Sequence, residues 1–222
     1  MTEKKYIIRC VQIIAVICLI WILYYLSGDI QSIIKNKNVT TRAEEWNLII
    51  VNNQNELPQE YRVELKELAN GRKVDNRIYP YLRRMFAGAR EDGVYPIVVE
   101  GYRTAEEQQK ILENKIQLYL KEGYSQSQAE EAAKEWVALP GMSEHQLGSA
   151  VDIGADQAKC SNEDVYIWLA YNAYKYGFIL RYPAGKEDIT GINYEPWHYR
   201  FVGLEAAWEI CQEQICLEEY LD

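Results

Sequence analysis

This chain of 222 residues contains two histidines, and both stand beside carboxylates. His145 lies in Ser143-Glu-His-Gln-Leu-Gly-Ser-Ala-Val-Asp152, and His198 lies in Glu195-Pro-Trp-His-Tyr-Arg200. Two imidazoles and one carboxylate, His145, Asp152 and His198, offer Zn²⁺ three protein ligands and leave a fourth position open. An open position is what a catalytic zinc needs, whereas a structural zinc is closed by four ligands. Such a split site constrains the fold, because two segments far apart in the chain must converge on one ion. Gly148 lets the chain turn back tightly, so that a loop histidine and a carboxylate on the following strand can face the same point. With His198 completing the ligand set, Glu195 is left as the carboxylate that takes a proton from the attacking water and passes it to the leaving amine. Taken singly, a His followed by an Asp, or a surface Glu beside a packing Trp-His pair, is ordinary. The combination of Ser143, His145, Gly148, Ala150 and Asp152 with the second cluster is far more specific.

The N-terminus has its own signature. Lys4, Lys5 and Arg9 precede the uncharged run Ile13 to Leu26, and the apolar stretch counted from Tyr6 approaches the roughly 20 residues that cross a bilayer. The run alone is also short enough for a signal peptide, but Tyr24-Tyr-Leu-Ser-Gly28 lacks a small-residue cleavage site, which favours an uncleaved anchor. Basic residues before the span place the N-terminus in the cytoplasm and the remainder outside. The expected organisation is a tail over residues 1–5, an anchor over 6–26, a polar spacer over 27–45 and one catalytic domain over 46–222.

Removing residues 1–27 takes away three basic residues and one acid, so the outer part is more acidic than the whole chain at −9. That charge disfavours nucleic acid as a partner. Of the five cysteines, Cys10 and Cys18 fall in the span, and Cys160, Cys211 and Cys216 lie outside. Cys211 and Cys216 face different sides of what reads as one helix, so a disulfide would join Cys160 to one of them. Free buried thiols are the equal alternative. The absence of a C-x-x-C pair disfavours a thiolate zinc site.

Patterning supplies the elements. Trp46 to Val51 reads as a strand, Val74 to Asp92 as a helix with Ile78, Tyr81, Leu82, Met85 and Phe86 on its inner face, and Val94 to Val99 as a buried strand. Thr104-Ala-Glu-Glu107 is a capping box opening a helix with Leu112, Ile116 and Tyr119 on one face, ended by Gly123. Ser125 caps a further helix to about Val137, and Leu139-Pro-Gly141 breaks the chain. Ser149 to Ile153 alternates as a strand with Ala150 and Asp152 on one face. A helix from Glu163 to Tyr176, a strand from Phe178 to Tyr182 and a helix from Leu204 to Tyr220 follow. Strands and helices mix without a βαβ rhythm, which points to an α+β fold.

The chain resembles the VanY-type D-alanyl-D-alanine carboxypeptidases, zinc peptidases that remove the terminal D-Ala from peptidoglycan stem peptides. The resemblance rests on Gly101-Tyr-Arg-Thr-Ala-Glu-Glu-Gln108, Pro140 to Asp152, Arg181-Tyr-Pro183 and Gly191 to Gly203, and extends from Trp46 onward. It implies the α+β fold of the hedgehog and D,D-peptidase group, with a central antiparallel sheet flanked by helices. It also implies zinc on His145, Asp152 and His198, and Glu195 as general base and acid. Arg103 gains a role from it, as the fixed charge that stabilises the oxyanion formed at the scissile carbonyl. Gln108 and Ser143 match positions lining the substrate end of the cleft, and Trp197 forms a wall of it or packs in the core. The implied partners are a stem peptide or its precursor and, through the anchor, the membrane, with the catalytic domain on the wall side. Related enzymes with the same ligands perform L,D-cleavage of the tetrapeptide, and a silent wall-binding module is the reading of another class. Two departures from the family pattern flank the site: Glu100 where serine is usual, and Met142 where threonine is common.

Overall fold

The computed structural model describes residues 46–222, and the tail, anchor and spacer expected before them lie outside the described residues. Among the described residues no helix is long and apolar enough to cross a membrane. The elements in chain order are β1 (Leu65–Glu67), β2 (Lys73–Asp75), α1 (Tyr79–Glu91), β3 (Pro96–Glu100), α2 (Ala105–Lys121), α3 (Gln126–Lys134), β4 (Ala150–Ala155), α4 (Asn162–Asn172), β5 (Phe178–Leu180), α5 (Glu187–Thr190), β6 (His198–Phe201), α6 (Leu204–Glu213) and α7 (Leu217–Leu221). β3, β4, β6 and β5 form a four-stranded sheet in that spatial order, every pairing antiparallel, and β1 and β2 form a separate hairpin. Segregated helices on an antiparallel sheet make this an α+β domain, as expected.

The two faces of the sheet divide the work. On β4 and β6, Val151, Ile153, Tyr199 and Phe201 point into a core shared with Ile78, Leu82, Met85 and Ala89 around α1 and with Val165, Trp168 and Leu169 of α4. Full burial of each of the larger side chains contributes about 1.5–3 kcal/mol, so this face holds the sheet in place. By the period-two alternation of strands, Ala150, Asp152, His198 and Arg200 occupy the opposite face. A second cluster, Leu48, Ile179, Val202, Ala206, Ala207, Ile210 and Leu217, seats α6 and α7.

The helix starts read from side-chain chemistry are the ones observed. Thr104 and Glu107 close the capping box of α2, and Ser125 and Gln128 close that of α3, each satisfying backbone N–H groups at the helix entry. Elsewhere the observed elements differ from expectation. Trp46 to Val51 forms no strand, because the Arg200 guanidinium donates to the carbonyls of Asn47 and Ile49, and the Asn47 amide donates to the Val202 carbonyl. Val74 belongs to β2, and α1 starts later at Tyr79 with Pro80 in its first turn. α3 ends at Lys134. The helix expected over Leu204 to Tyr220 is broken in two by Gln214, which takes a left-handed φ of 54° while the Ile215 N–H returns to the Ile210 carbonyl. Cys211 and Cys216 therefore sit on different segments, and Cys160, Cys211 and Cys216 are all free thiols.

Candidate metal centre and cleft

Asp152 and His198 are cross-strand partners in the β4–β6 register, so their side chains leave the same face side by side. His145 reaches them from the 3-10 turn Glu144–Leu147, which Gly148 ends with a φ of 73°. A side chain at Gly148 would press on the Asp75 backbone nitrogen 3.1 Å away, and the Asp75 N–H donates to the Gly148 carbonyl at 2.8 Å. That bond fixes the point at which the chain doubles back into β4.

A second turn is fastened to the first. His145 Nδ1 lies 2.7 Å from the Gly101 carbonyl oxygen, and the Arg103 N–H donates to the His145 carbonyl at 3.2 Å. Gly101 is required there, since a Cβ would meet the Lys73 carbonyl oxygen at 2.2 Å. A carbonyl only accepts, so Nδ1 of His145 carries the proton and Nε2 keeps a lone pair for a cation. This Nε2 lies 3.4 Å from Asp152 Oδ1, and His198 Nδ1 lies 3.0 Å from the same oxygen. The ligand atoms offered by His145, Asp152 and His198 lie within 4.8 Å of one another. Two imidazole nitrogens and a carboxylate oxygen converging with an open side fit a catalytic zinc.

The electrostatics follow from burial opposed by pairing. Burial pushes the Asp152 carboxyl up, but the charges and hydrogen bonds of His145 and His198 win and hold it well below the usual carboxylate range. Burial lowers His145. His198 is lowered by burial too, yet its hydrogen bond to Asp152, the facing carboxylate of Glu144 and the charges of Asp152 and Glu195 raise it to about 9. Glu195 Oε2 lies 3.7 Å from His198 Nδ1. Burial, reinforced by the charge of Asp152, outweighs His198 and Arg103 and pushes the Glu195 carboxyl up to about 7. A carboxyl poised there exchanges a proton readily near neutral pH.

The eight residues singled out in the sequence, Arg103, Gln108, Ser143, His145, Asp152, Glu195, Trp197 and His198, line a single cleft of about 160 Å³. Arg103 Nη2 donates to Asp152 Oδ2 at 3.2 Å and Nη1 to Gln108 Oε1 at 3.4 Å, while the buried Gln108 amide donates to the Ala138 carbonyl at 2.7 Å. Gln108 thus braces the arginine against the α3–β4 connection. Trp197 lines the cleft and belongs to neither core cluster. Ile111, Trp136, Val137, Ala138, Tyr182 and Ile192 complete the walls; none is named as a site residue from the sequence, although Tyr182 and Ile192 stand in the motifs that carry the resemblance. Tyr182 packs its ring 4.8 Å from that of His198. A larger cavity of about 470 Å³ lies between α4, β5 and α6, but it carries no cluster of metal-ligating groups.

Comparison with known proteins gives the same picture from another direction. Residues 71–204 match the family model described as VanY, D-alanyl-D-alanine carboxypeptidase. A D-alanyl-D-alanine carboxypeptidase of Enterococcus faecalis is 55% identical over 179 residues, covering 81% of this chain and 67% of the relative. Among solved structures, a vancomycin-resistance D,D-pentapeptidase VanY in complex with Zn(II) superposes with a TM-score of 0.79 at 56% identity, covering 80% of this chain and all of that one. VanYB in complex with D-alanine-D-alanine gives a TM-score of 0.79 at 55% identity, over 80% of this chain and 98% of that one.

Proposed function

Because the chain belongs to the VanY family of D-alanyl-D-alanine carboxypeptidases, we propose that it is a zinc carboxypeptidase that hydrolyses the last peptide bond of peptides ending in D-alanyl-D-alanine. The observation that carries this reading is the cross-strand pairing of Asp152 with His198 beneath His145, with Glu195 at 3.7 Å from His198.

In this reading His145, Asp152 and His198 hold zinc. The ion, when bound, acts as a Lewis acid on the scissile carbonyl and lowers the pKa of water. Glu195 takes the proton of the attacking water and delivers it to the amine of the departing D-alanine, a double duty suited to a carboxyl raised to about 7. Arg103 points its guanidinium into the cleft from beside Asp152 and stabilises the charge that develops on the carbonyl oxygen. Ser143 and Gln108 line the floor where the terminal residue sits, and Trp136 and Trp197 wall the cleft.

The natural substrate in this account is the peptidoglycan stem peptide or its precursor. The run from Tyr6 to Leu26 anchors the chain in the cell membrane, with the catalytic domain on the wall side. Fractionation of cells making the full chain, or a chain lacking residues 1–27, tests the anchor; recovery of both in the soluble fraction would contradict it. Release of free D-alanine from a peptide ending in D-alanyl-D-alanine tests the activity. The release should stop on chelation and return with zinc, and release that persists without metal would contradict the zinc reading.

A further inference from the structure

Glu144 is adjacent to His145 in sequence, yet its carboxylate serves the other histidine. It is buried among charges, with Arg181 and Arg200 beside it, all three side chains wholly inaccessible. Its Oε1 accepts from Arg181 Nε at 2.8 Å and lies 3.2 Å from Arg200 Nη1. Its Oε2 is left without a hydrogen-bond partner and looks at His198 Nε2 across 3.8 Å, and that nitrogen is likewise buried and unpartnered. The other nitrogen of the same ring, Nδ1, faces Asp152 and Glu195 in the cleft. A carboxylate this deep is expensive unless neutralised, and two arginines do that while saturating only one of its oxygens.

We propose that Glu144 is the positioning residue for the metal ligand His198: its free oxygen accepts the Nε2 proton and so keeps the Nδ1 lone pair turned toward the metal. This rests on the zinc reading of the site. A histidine ligand is commonly oriented by a hydrogen bond from its second nitrogen, which fixes the tautomer and raises the basicity of the first. His145 has a backbone carbonyl for that purpose 2.7 Å away, at Gly101, and the acceptor that faces His198 Nε2 is the Glu144 carboxylate at 3.8 Å, which must close on the ring to bond it. The two rings therefore offer the cation different nitrogens, Nε2 of His145 and Nδ1 of His198. Arg181, donating to Oε1 at 2.8 Å, keeps Glu144 from rotating away.

Glu144→Gln is the informative change. The two arginines require an oxygen where Oε1 stands, so the amide nitrogen must face His198, donor against donor. The ring is then driven to carry its proton on Nδ1, the nitrogen the metal needs. Zinc affinity of the full chain, measured by competition with a chromophoric chelator, should fall about 10- to 100-fold in Glu144→Gln. Glu218→Gln removes a charge from the same arginine without facing the ring, and its zinc affinity should match that of the unmodified protein. Equal affinities for all three proteins, or an equal loss in Glu218→Gln, would overturn the proposal.

With two histidines in the sequence, the ¹⁵N spectrum of the zinc-loaded unmodified protein decides the matter even if Glu144→Gln does not fold. His198 should be bound through Nδ1 with Nε2 protonated, and His145 the reverse. Binding of His198 through Nε2 would overturn the role of Glu144 alone and leave the zinc site standing. Metal on neither ring would overturn the zinc reading, and this proposal with it.

Discussion

Arg103 and Arg181 are both arginines set among carboxylates, one lining the cleft and the other buried, and they are held in opposite ways. Arg181 is wholly inaccessible and makes three short charge-assisted bonds, one to Glu144 at 2.8 Å and two to Glu218 at 2.6 and 2.9 Å. Arg103 keeps 15% of its side chain exposed, donates at 3.2 and 3.4 Å, and leaves Nε without a partner, 3.8 Å from Glu100. A guanidinium with every near neighbour bonded is scaffold. One with long bonds and an idle donor retains the capacity to meet charge that appears during a reaction, which is the task assigned to Arg103.

The contrast breaks most visibly at the buried end. Replacing Arg181 with Leu strands the Glu144 carboxylate against Arg200 alone, and urea unfolding should report a loss of about 3–5 kcal/mol. Arg103→Ala should lower kcat by about 10²- to 10³-fold, or ~2.7–4 kcal/mol in the barrier. Its unfolding free energy in urea should change by no more than about 1 kcal/mol, because its pairs are long and partly exposed. Equal destabilisation by the two changes would erase the distinction drawn here. Glu100→Ser, which installs the residue usual in the family, removes the 3.8 Å contact to Arg103, the exposed pair with Arg72 and the bond that Oε1 accepts from the Gly101 N–H at 3.1 Å. It should shift kcat/KM by less than about tenfold, with stability changed by under ~1 kcal/mol. The smallest effect concerns the thiols: reductant should leave the melting midpoint where it is, since no disulfide links Cys160, Cys211 and Cys216. Cys216, buried and with its thiol pushed up to about 11 by that burial, should alkylate most slowly of the three.

Chemistry written in short range and the split histidine cluster were legible, and the other long-range partnerships were not. The capping boxes of α2 and α3 are local, each closed by residues three apart, and both stand where Thr104 and Ser125 put them. The split cluster of His145, Asp152, Glu195 and His198 was legible because two histidines among so many carboxylates cannot be spread far. β6 was missed as a strand because its four residues, His198 to Phe201, are all buried, which erases the alternation a half-exposed strand shows. Trp46 to Val51 has the composition of a strand, but its carbonyls are spent on the Arg200 side chain. The break at Gln214 carries no Gly or Pro to announce it. Glu144, Arg181 and Arg200 stand in the motifs but gained no role from them, because a charged residue in a motif reads as solvated until the fold shows what surrounds it. An arginine set between Tyr199 and Phe201 in a fully apolar run was the one available sign.

The central claim is that Glu195 and the zinc triad together perform D,D-carboxypeptidase chemistry. Mass spectrometry of products tests it most directly, after the zinc-loaded protein is incubated with a pentapeptide ending in D-alanyl-D-alanine and with the matching tetrapeptide, beside a Glu195→Ala variant. The account predicts that the pentapeptide alone loses one D-alanine, and that Glu195→Ala retains zinc and loses turnover by about 10²- to 10⁴-fold. An intact pentapeptide, cleavage of the tetrapeptide in its place, or undiminished turnover in Glu195→Ala would contradict it.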